Sequence, residues 1–286
     1  MGIVKKCWYF SLLFIPTICQ DSMAYSFVNS ATVLSKKDNS TTSPLVSSSK
    51  VAVYRHRKYS HVTKLYQRLY KPVVEMCMRY EVPPAAIMSI ISLESGWGRG
   101  YVGQITGNFM SLNATKSSVA LPALYLPKHL PTGKILYDIE KANKYPAKDI
   151  RWEKRPSSLK KDYRPKGLAG TKENLTYFDQ NPKALTEANL RNVKDFVSRF
   201  ISKNSKIKAY REARELLDNA IAKSGNTVLF DVQLNEQFIK TIGGRPNSFN
   251  YRTTWPSKAL SIMYGVGAVE LSHQLYIENK AFAEVW

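Results

Sequence analysis

A short apolar helix with a marked start and a marked end is the strongest structural signal in this chain. The prolines of residues 82–84 mark the start, because proline suits the first turn of a helix. The glycines of residues 96–98 mark the end, since glycine readily adopts the left-handed conformation that closes a helix. The buried stripe predicted by this spacing consists of Ile87, Ile90, Ile91 and Glu94.

Glu94 is the one carboxyl group on that stripe. Burial takes water from its charged form, and the negative end of the helix dipole disfavours that form further, so we expect the pKa of Glu94 to be raised. A general acid needs a raised pKa to hold its proton near neutral pH. The alternative is a solvated glutamate, because an error of one residue in the helix phase turns the side chain outward. The apolar period leaves both interpretations open.

Three motifs around this helix carry a family resemblance. They are Val82-Pro83-Pro84, then Leu93-Glu94-Ser95-Gly96-Trp97-Gly98, then Gly107-Asn108-Phe109. Together they resemble the glucosaminidase family that includes flagellar and Bax-like peptidoglycan hydrolases, glycoside hydrolase family seventy-three. The resemblance covers most of residues 62–275 and is strongest at the acid motif. It implies a lysozyme-like fold with Glu94 as catalytic acid, and cleavage of the β-1,4 bond after N-acetylglucosamine, the activity of an endo-β-N-acetylglucosaminidase.

The resemblance also implies a second catalytic carboxylate. The family usually places this acid in a β-hairpin before an aromatic strand, and residues 171–178 resemble that region. Glu173 is therefore the candidate second acid, and Tyr177 a candidate substrate-binding residue. Two alternatives remain: Glu173 is a solvated hairpin charge, or the N-acetyl carbonyl of the substrate replaces a second acid altogether.

Three further residues are implied as substrate-binding by their places in the family motifs: Trp97, Asn108 and Tyr251. For Trp97 the alternative is a packing residue that supports the acid. Tyr251 resembles the family's cleft tyrosine, and its alternative is a half-buried core residue. The sequence departs from the family pattern at Ser111, where the family usually has glycine.

The rest of the chain predicts helices around an irregular middle. Residues 113–180 are rich in proline and basic residues with little helical period, and we interpret them as an enlarged β-lobe. After this lobe, helices are predicted to begin near 181 and 207 and to span 231–242 and 256–279. The predicted fold class is α+β, mainly α, with Glu94 at the floor of a groove beside a small irregular β-lobe.

The N-terminal residues predict export. Residues 1–24 combine two lysines, an apolar run and small residues at the cleavage position, as a secretory signal peptide does. A retained membrane anchor is the alternative. Residues 25–60 are rich in Ser, Thr and Asn and predict a disordered tether, so the catalytic domain is assigned to 61–286. We expect a periplasmic or cell-envelope protein of a bacterium, with no stable membrane span after signal cleavage.

The formal net charge of +20 predicts an anionic partner. Charge alone leaves nucleic acid, anionic lipid and cell wall as candidates, and the export signal favours the glycan strands of peptidoglycan, so nucleic acid is not expected. The histidines show no metal-ligand spacing and no nucleotide-binding loop is present, so neither a metal nor a cofactor is expected. Cys77 lies in an apolar helical pattern and is predicted to be a buried packing residue.

Three other functions remain open at this point. A lytic transglycosylase uses a single glutamate and leaves an anhydro sugar, so it is the nearest alternative enzyme. An inactive wall-binding protein is a second alternative, suggested by Ser111 and the long middle segment. A secreted nucleic-acid binder is the third, suggested by charge alone.

Overall fold

A computed structural model describes residues 54–114, 124–136, 139–155, 160–165 and 176–286 of the chain. The predicted signal peptide, residues 25–53 of the predicted tether, and Glu173 lie outside the described residues. No helix within the described ranges has the length and apolar character that crossing a membrane requires.

The hydrophobic core is built around α2 (Pro84–Glu94), which is buried on every face from Pro84 to Ser92. Its neighbours are α1 (Ser60–Arg79), α8 (Val232–Ile242), α9 (Trp255–Val266) and α10 (Ala268–Tyr276). A helix this deeply buried must satisfy its polar side chains internally. Ser89, Ser92 and Ser95 do so, because each hydroxyl donates a hydrogen bond of 2.7–2.8 Å to the carbonyl four residues earlier.

The helix boundaries read from the sequence are largely confirmed. α6 (Pro182–Asp195) begins with proline, and the backbone continues as a π-helix over Phe196–Phe200. α7 (Lys208–Ser224) ends at Gly225, and a 3-10 helix over Asn226–Phe230 leads to α8. Asp231 caps α8, since its carboxylate accepts a hydrogen bond of 2.8 Å from the Leu234 amide.

The predicted helix 256–279 is two helices, which is a correction. α9 and α10 are separated by Gly267, whose φ of 68° lies in the left-handed region. A Cβ atom at this position would lie 2.2 Å from the Tyr54 ring, so the close approach of that ring requires glycine. The periodic apolar pattern continues through the break, and for this reason it predicted one helix.

Residues 54–59 form part of the folded domain, although the sequence placed them in the tether. The His56 amide donates a hydrogen bond of 3.0 Å to the Gly265 carbonyl. The Arg57 guanidinium lies over the rings of Tyr54 and Trp286, at 4.3 and 5.0 Å from their centroids. Cation–π contacts of this kind stabilise a folded segment and are absent from a disordered tether. The folded domain therefore begins before residue 61, where the sequence analysis placed its start.

The middle of the chain contains a small antiparallel sheet. It comprises β1 (Leu124–His129), β2 (Lys134–Ile135) and β3 (Ile150–Arg155), in the order β2-β1-β3. Its own apolar contacts join Leu126 and Trp152 to Ile105 on α3 (Tyr101–Thr106). Short helical turns, α4 (Ile139–Ala142) and a 3-10 turn at Ala147–Asp149, lie between β2 and β3. The described part of the protein is thus α+β and mainly helical.

Tyr177 does not lie on a strand, contrary to the expectation of an aromatic strand after a hairpin. It begins α5 (Tyr177–Gln180), a single helical turn directly before α6. At the far end of the domain, α11 (Phe282–Val285) packs on α10.

Candidate active site

The turn after α2 holds Glu94 at the last position of the buried helix. Gly96, Trp97 and Gly98 all have positive φ angles, of 56°, 60° and 80°. Ser95 stabilises this conformation, because its hydroxyl oxygen accepts a hydrogen bond of 2.8 Å from the Gly98 amide. The sequence therefore encodes a sharp left-handed turn directly after the acid, and this turn defines where the Glu94 side chain emerges.

Glu94 is half-buried and has one defined hydrogen-bond donor. The indole Nε1–H of Trp255, at the start of α9, donates to Oε1 of Glu94 over 2.8 Å. Burial raises the pKa of Glu94, and the Trp255 hydrogen bond together with the nearby cations Lys160 and Arg252 partly opposes that rise. The direction of the pKa shift predicted from the sequence is confirmed, with burial as its main cause.

The two cations reach Glu94 from different parts of the chain. Lys160 lies in the middle segment, and its ammonium donates a hydrogen bond of 2.6 Å to the Ser111 carbonyl. Burial lowers the pKa of Lys160, and attraction to Glu94 works against this. Arg252 lies on the loop between α8 and α9, with its guanidinium 5.9 Å from the Tyr251 ring centroid. The charged form of Glu94 is therefore favoured by one cation from the middle segment and one from the loop before α9.

Tyr210, on α7, is a further titratable group whose pKa is affected by Glu94. Its side chain is buried, and burial followed by the Glu94 carboxylate raises the pKa of its hydroxyl. The phenol consequently stays protonated and neutral at physiological pH. Its ring packs edge-on against Phe196, with 5.8 Å between the ring centroids.

The predicted substrate contact at Asn108 is wrong, because this side chain is only 1% exposed. Its Nδ2 donates to the Leu112 and Lys161 carbonyls at 2.9 and 2.8 Å. Its Oδ1 accepts from the Leu112 amide at 2.8 Å and from the Asn192 side chain at 3.1 Å. The Asn108 amide therefore forms four hydrogen bonds with other groups of the protein. These bonds hold the loop that follows α3 against α6.

The departure from the family pattern at Ser111 has a clear local geometry. Ser111 adopts φ of 52°, the left-handed conformation that glycine adopts more easily. In this conformation the Ser111 carbonyl accepts a hydrogen bond of 2.6 Å from the Lys160 ammonium. The loop geometry expected of glycine is therefore retained with serine.

Trp97 is placed as a packing residue. Its ring lies 5.1 Å from His56 and 6.5 Å from Tyr66, between the N-terminal segment and α1. These contacts support the turn that carries Glu94, which is the alternative that the sequence left open for this residue.

Tyr251 and Tyr177 lie in different surroundings. Tyr251 is 66% exposed, next to Arg252, so its ring is open to a ligand at the edge of the site. Tyr177 packs on a small separate cluster that contains Tyr163 and Phe178. Tyr251 therefore lies beside Arg252, whose charge acts on Glu94, whereas Tyr177 has contacts of its own.

No family model, curated protein or solved structure matches this chain.

Sequence reasoning missed four residues of this site: Trp255, Lys160, Arg252 and Tyr210. Arg252 directly follows Tyr251, and this adjacency was the one available signal. The other three lie 161, 66 and 116 residues from Glu94 in the chain, so no spacing rule connects them to it.

The arrangement suits one chemical task, the transfer of a proton. The Trp255 N–H binds Oε1 of Glu94, which leaves Oε2 as the oxygen available to carry and donate a proton. No cluster of three or more His, Cys, Asp or Glu side chains suited to a metal ion is found among the described residues. Cys77 is buried in the core and burial raises the pKa of its thiol, as expected of a packing residue.

Proposed function

We propose that this protein is a peptidoglycan hydrolase that cleaves the β-1,4 glycosidic bond after N-acetylglucosamine, with Glu94 as general acid. The observation that carries the proposal is the state of Glu94: half-buried at the end of a buried helix, with a raised pKa and one oxygen bound by Trp255. A carboxyl group in these surroundings keeps its proton closer to neutral pH than a solvated one does.

The first step is donation of the Oε2 proton to the glycosidic oxygen. The bond between the anomeric carbon and that oxygen breaks, its electron pair stays on the oxygen, and the leaving sugar departs as an alcohol. Positive charge develops on the ring that remains, and Glu94 becomes a carboxylate. The Trp255 N–H and the cations Lys160 and Arg252 then stabilise this carboxylate.

Water completes the reaction in one of two ways. Glu173 is the candidate base, and it lies outside the described residues. Alternatively the N-acetyl carbonyl of the substrate attacks the anomeric carbon, and water opens the resulting ring. Both routes return a reducing N-acetylglucosamine end.

The charge of the site supports an anionic glycan as substrate. The charges of Lys160 and Arg252 act on the acid, and the whole chain carries a formal charge of +20. Muramic acid residues and their peptides bear carboxylates, so they are attracted to such a surface. The exposed ring of Tyr251 offers an apolar face on which a sugar can stack.

A lysozyme-like arrangement belongs to the same proposal. A helical domain carries the acid at a helix end, and a small sheet packs on α3 next to the loop that holds Lys160. We propose that the glycan strand binds where the two meet. Export to the periplasm or cell envelope, through the predicted signal peptide, would place the enzyme beside its substrate.

The deciding experiment compares the native protein with Glu94→Gln on purified peptidoglycan. We expect the amide to lower the rate of release of reducing ends by about 10²–10⁴-fold, since it cannot donate an acidic proton. Glu75→Gln is the matched control, because Glu75 is exposed on α1 and should leave the rate unchanged. Equal rates for the native protein and Glu94→Gln would remove Glu94 as the acid.

Mass spectrometry of the products separates the competing functions. Reducing N-acetylglucosamine ends support the proposal, whereas anhydromuramyl ends identify a lytic transglycosylase. A native protein that binds the wall without cleaving it is a binding protein. Salt-dependent retention on DNA with no affinity for the wall identifies a nucleic-acid binder.

A further inference from the structure

His56 contacts the turn that carries Glu94 through the side chain of Trp97. The centroids of the two rings lie 5.1 Å apart, with an angle of 50° between the ring planes. Trp97 follows Glu94 by three residues, and its amide donates a hydrogen bond of 2.8 Å to the Ser92 carbonyl in the last turn of α2. The imidazole of His56 therefore packs on the turn that defines where the Glu94 side chain emerges.

Trp97 needs this support, because its backbone conformation is unfavourable for a bulky residue. Its φ of 60° lies in the left-handed region, which aromatic residues rarely adopt. A residue in this conformation costs free energy and persists only where its surroundings hold it there. The rings of His56 and Tyr66 both contact the Trp97 indole. Loss of the His56 contact should therefore allow the turn to relax.

His56 is itself held on α9. Its amide donates a hydrogen bond of 3.0 Å to the Gly265 carbonyl, and a Cβ atom at Gly265 would lie 2.2 Å from Cδ2 of the His56 ring. The imidazole thus lies directly on a backbone position that requires glycine. Arg55 completes the contact, since its Nε donates to Nε2 of His56 over 3.3 Å. The same guanidinium donates from Nη2 to the Ser261 carbonyl over 3.1 Å, so residues 55 and 56 are both bound to α9.

The hydrogen bond from Arg55 requires a neutral His56. A guanidinium only donates, so Nε2 of His56 must supply a lone pair, which an imidazolium lacks. Protonation at Nε2 removes this bond and places a second positive charge beside the first. Burial lowers the pKa of His56, and the charges of Arg55 and Lys58 lower it further. The contact is therefore made by the neutral imidazole and weakens as His56 gains a proton.

Other titratable side chains on the elements around His56 have partners of their own. These are Tyr54 with Glu270, Arg57 with the Val266 carbonyl, His61 with the Tyr59 ring, Tyr66 with Ser92, Arg99 with the Gly96 carbonyl and Tyr264 with Glu236. Glu94 is the carboxyl group of the turn itself. Its ionisation must therefore be separated from that of His56 in any measurement.

We infer that His56 is a positioning residue: its neutral imidazole braces Trp97 and with it the turn that carries Glu94. Protonation of His56 by solvent releases this brace. His56 takes no part in the proton transfer to the glycosidic oxygen. The catalytic consequence, a loss of activity at acid pH, rests on the proposed function. The coupling between the His56 and Trp97 side chains does not.

An NMR titration of the Glu94→Gln variant tests the coupling without the ionisation of the acid. This background is needed because the pKa of Glu94 is raised and that of His56 is lowered, which brings the two titrations together. The Trp97 indole Nε1–H resonance is assigned by its loss in Trp97→Phe, and the His56 Cε1–H resonance by its loss in His56→Phe. We expect both resonances to move with one midpoint, below the ordinary histidine value of 6.5.

Hydrogen exchange tests the release of the turn. The Trp97 amide is bonded to the Ser92 carbonyl, so its protection factor should fall about tenfold below the His56 midpoint. His56→Phe keeps a ring on Trp97 and does not titrate, so its protection factor should stay constant. If His56→Phe fails to fold, His56→Gln replaces it. His273→Gln is the control, because that histidine pairs with Glu278 on another part of the domain and should leave the behaviour of Trp97 unchanged.

Three results would overturn the inference. One is a Trp97 indole resonance that still titrates in the folded His56→Phe variant. Another is an unchanged protection factor across the His56 midpoint. The third is a His56 midpoint above 6.5, because it would mean that the indole ring holds the imidazolium in place.

Kinetics on peptidoglycan test the catalytic consequence separately. We expect kcat of the native protein to fall about three- to tenfold as His56 gains its proton, with little change in KM. His56→Phe should keep more of its neutral-pH kcat at about pH 5 than the native protein does. The same acidic limb in both proteins would overturn the regulatory role of His56. A coupled titration of His56 and Trp97 in a protein without lytic activity would support the brace and reject the proposed function.

Discussion

Trp255 and Glu94 lie 161 residues apart in the chain and are joined by one hydrogen bond, from indole Nε1–H to Oε1, of 2.8 Å. Trp255 is itself buried against Gly243, where a Cβ atom would lie 2.3 Å from the indole ring. The donor is therefore fixed by packing before any substrate binds. This hydrogen bond favours the charged form of Glu94, whereas burial favours the neutral form.

Replacing Trp255, the hydrogen-bond donor, should change the pKa of Glu94 while leaving the carboxyl group in place. In Trp255→Phe the hydrogen bond that lowers the pKa of Glu94 is lost, so that pKa should rise further. We expect the basic limb of the kcat/KM profile to move to higher pH and the maximal rate to fall about three- to ten-fold. Trp286→Phe is the control, because it deletes an indole hydrogen bond of 3.0 Å to Thr63 elsewhere. Equal shifts in both variants would contradict the role of Trp255.

The stability of the protein should depend on the ionisation of Glu94. Because the folded state raises the pKa of Glu94, its contribution is favourable below the unfolded value and is lost as pH rises through the folded value. Glu94→Gln does not ionise, so its Tm relative to the native protein should increase from pH 4 to pH 8. Thermal unfolding across that range checks the sign, with Glu75→Gln expected to show a constant difference. A Tm difference that falls with pH would reject the raised pKa.

Asn108 should matter for stability far more than an exposed asparagine. Asn108→Ala leaves the amide and carbonyl of Leu112 and the Lys161 carbonyl without their buried partner, which should cost about 2–4 kcal/mol of unfolding free energy. Asn181→Ala removes an exposed hydrogen bond of 2.9 Å to the Tyr177 carbonyl and should cost less than about 1 kcal/mol. Urea unfolding of both variants measures the difference, and similar losses would argue against a structural role for Asn108.

Tyr251 should affect binding and leave folding unchanged. Its ring is 66% exposed, so Tyr251→Ala should keep the native Tm while weakening binding of soluble glycan fragments about three- to ten-fold. Tyr251→Phe keeps the ring face and should bind as the native protein does. Tyr276→Ala, at an exposed tyrosine that packs on Phe230, is the control for loss of a surface ring. Fluorescence titration gives the Kd values, and equal effects at both tyrosines would remove Tyr251 from the binding site.

Local physical chemistry explains why much of the fold was predictable. Pro83 and Pro84 open α2 and the glycines after Ser95 close it, because proline and glycine restrict or permit backbone angles wherever they occur. Asp231 caps α8 and Gly225 ends α7 for the same kind of reason. The raised pKa of Glu94 also followed from the chain, since an apolar helix with one terminal carboxyl group leaves that group little water.

The residues that act on the Glu94 carboxyl group could be identified only from the tertiary packing. α2 is buried on every face, so its apolar period does not say which neighbour meets the carboxyl group, and Trp255, Lys160 and Tyr210 arrive from remote segments. Asn108 was predicted to bind substrate for the same reason. Its motif does not reveal that the side-chain amide forms four hydrogen bonds within the protein. Backbone angles and helix ends depend on a few neighbouring residues, so the local sequence determines them. Burial, hydrogen-bond partners and electric fields depend on distances between segments, which exist only once the chain has folded.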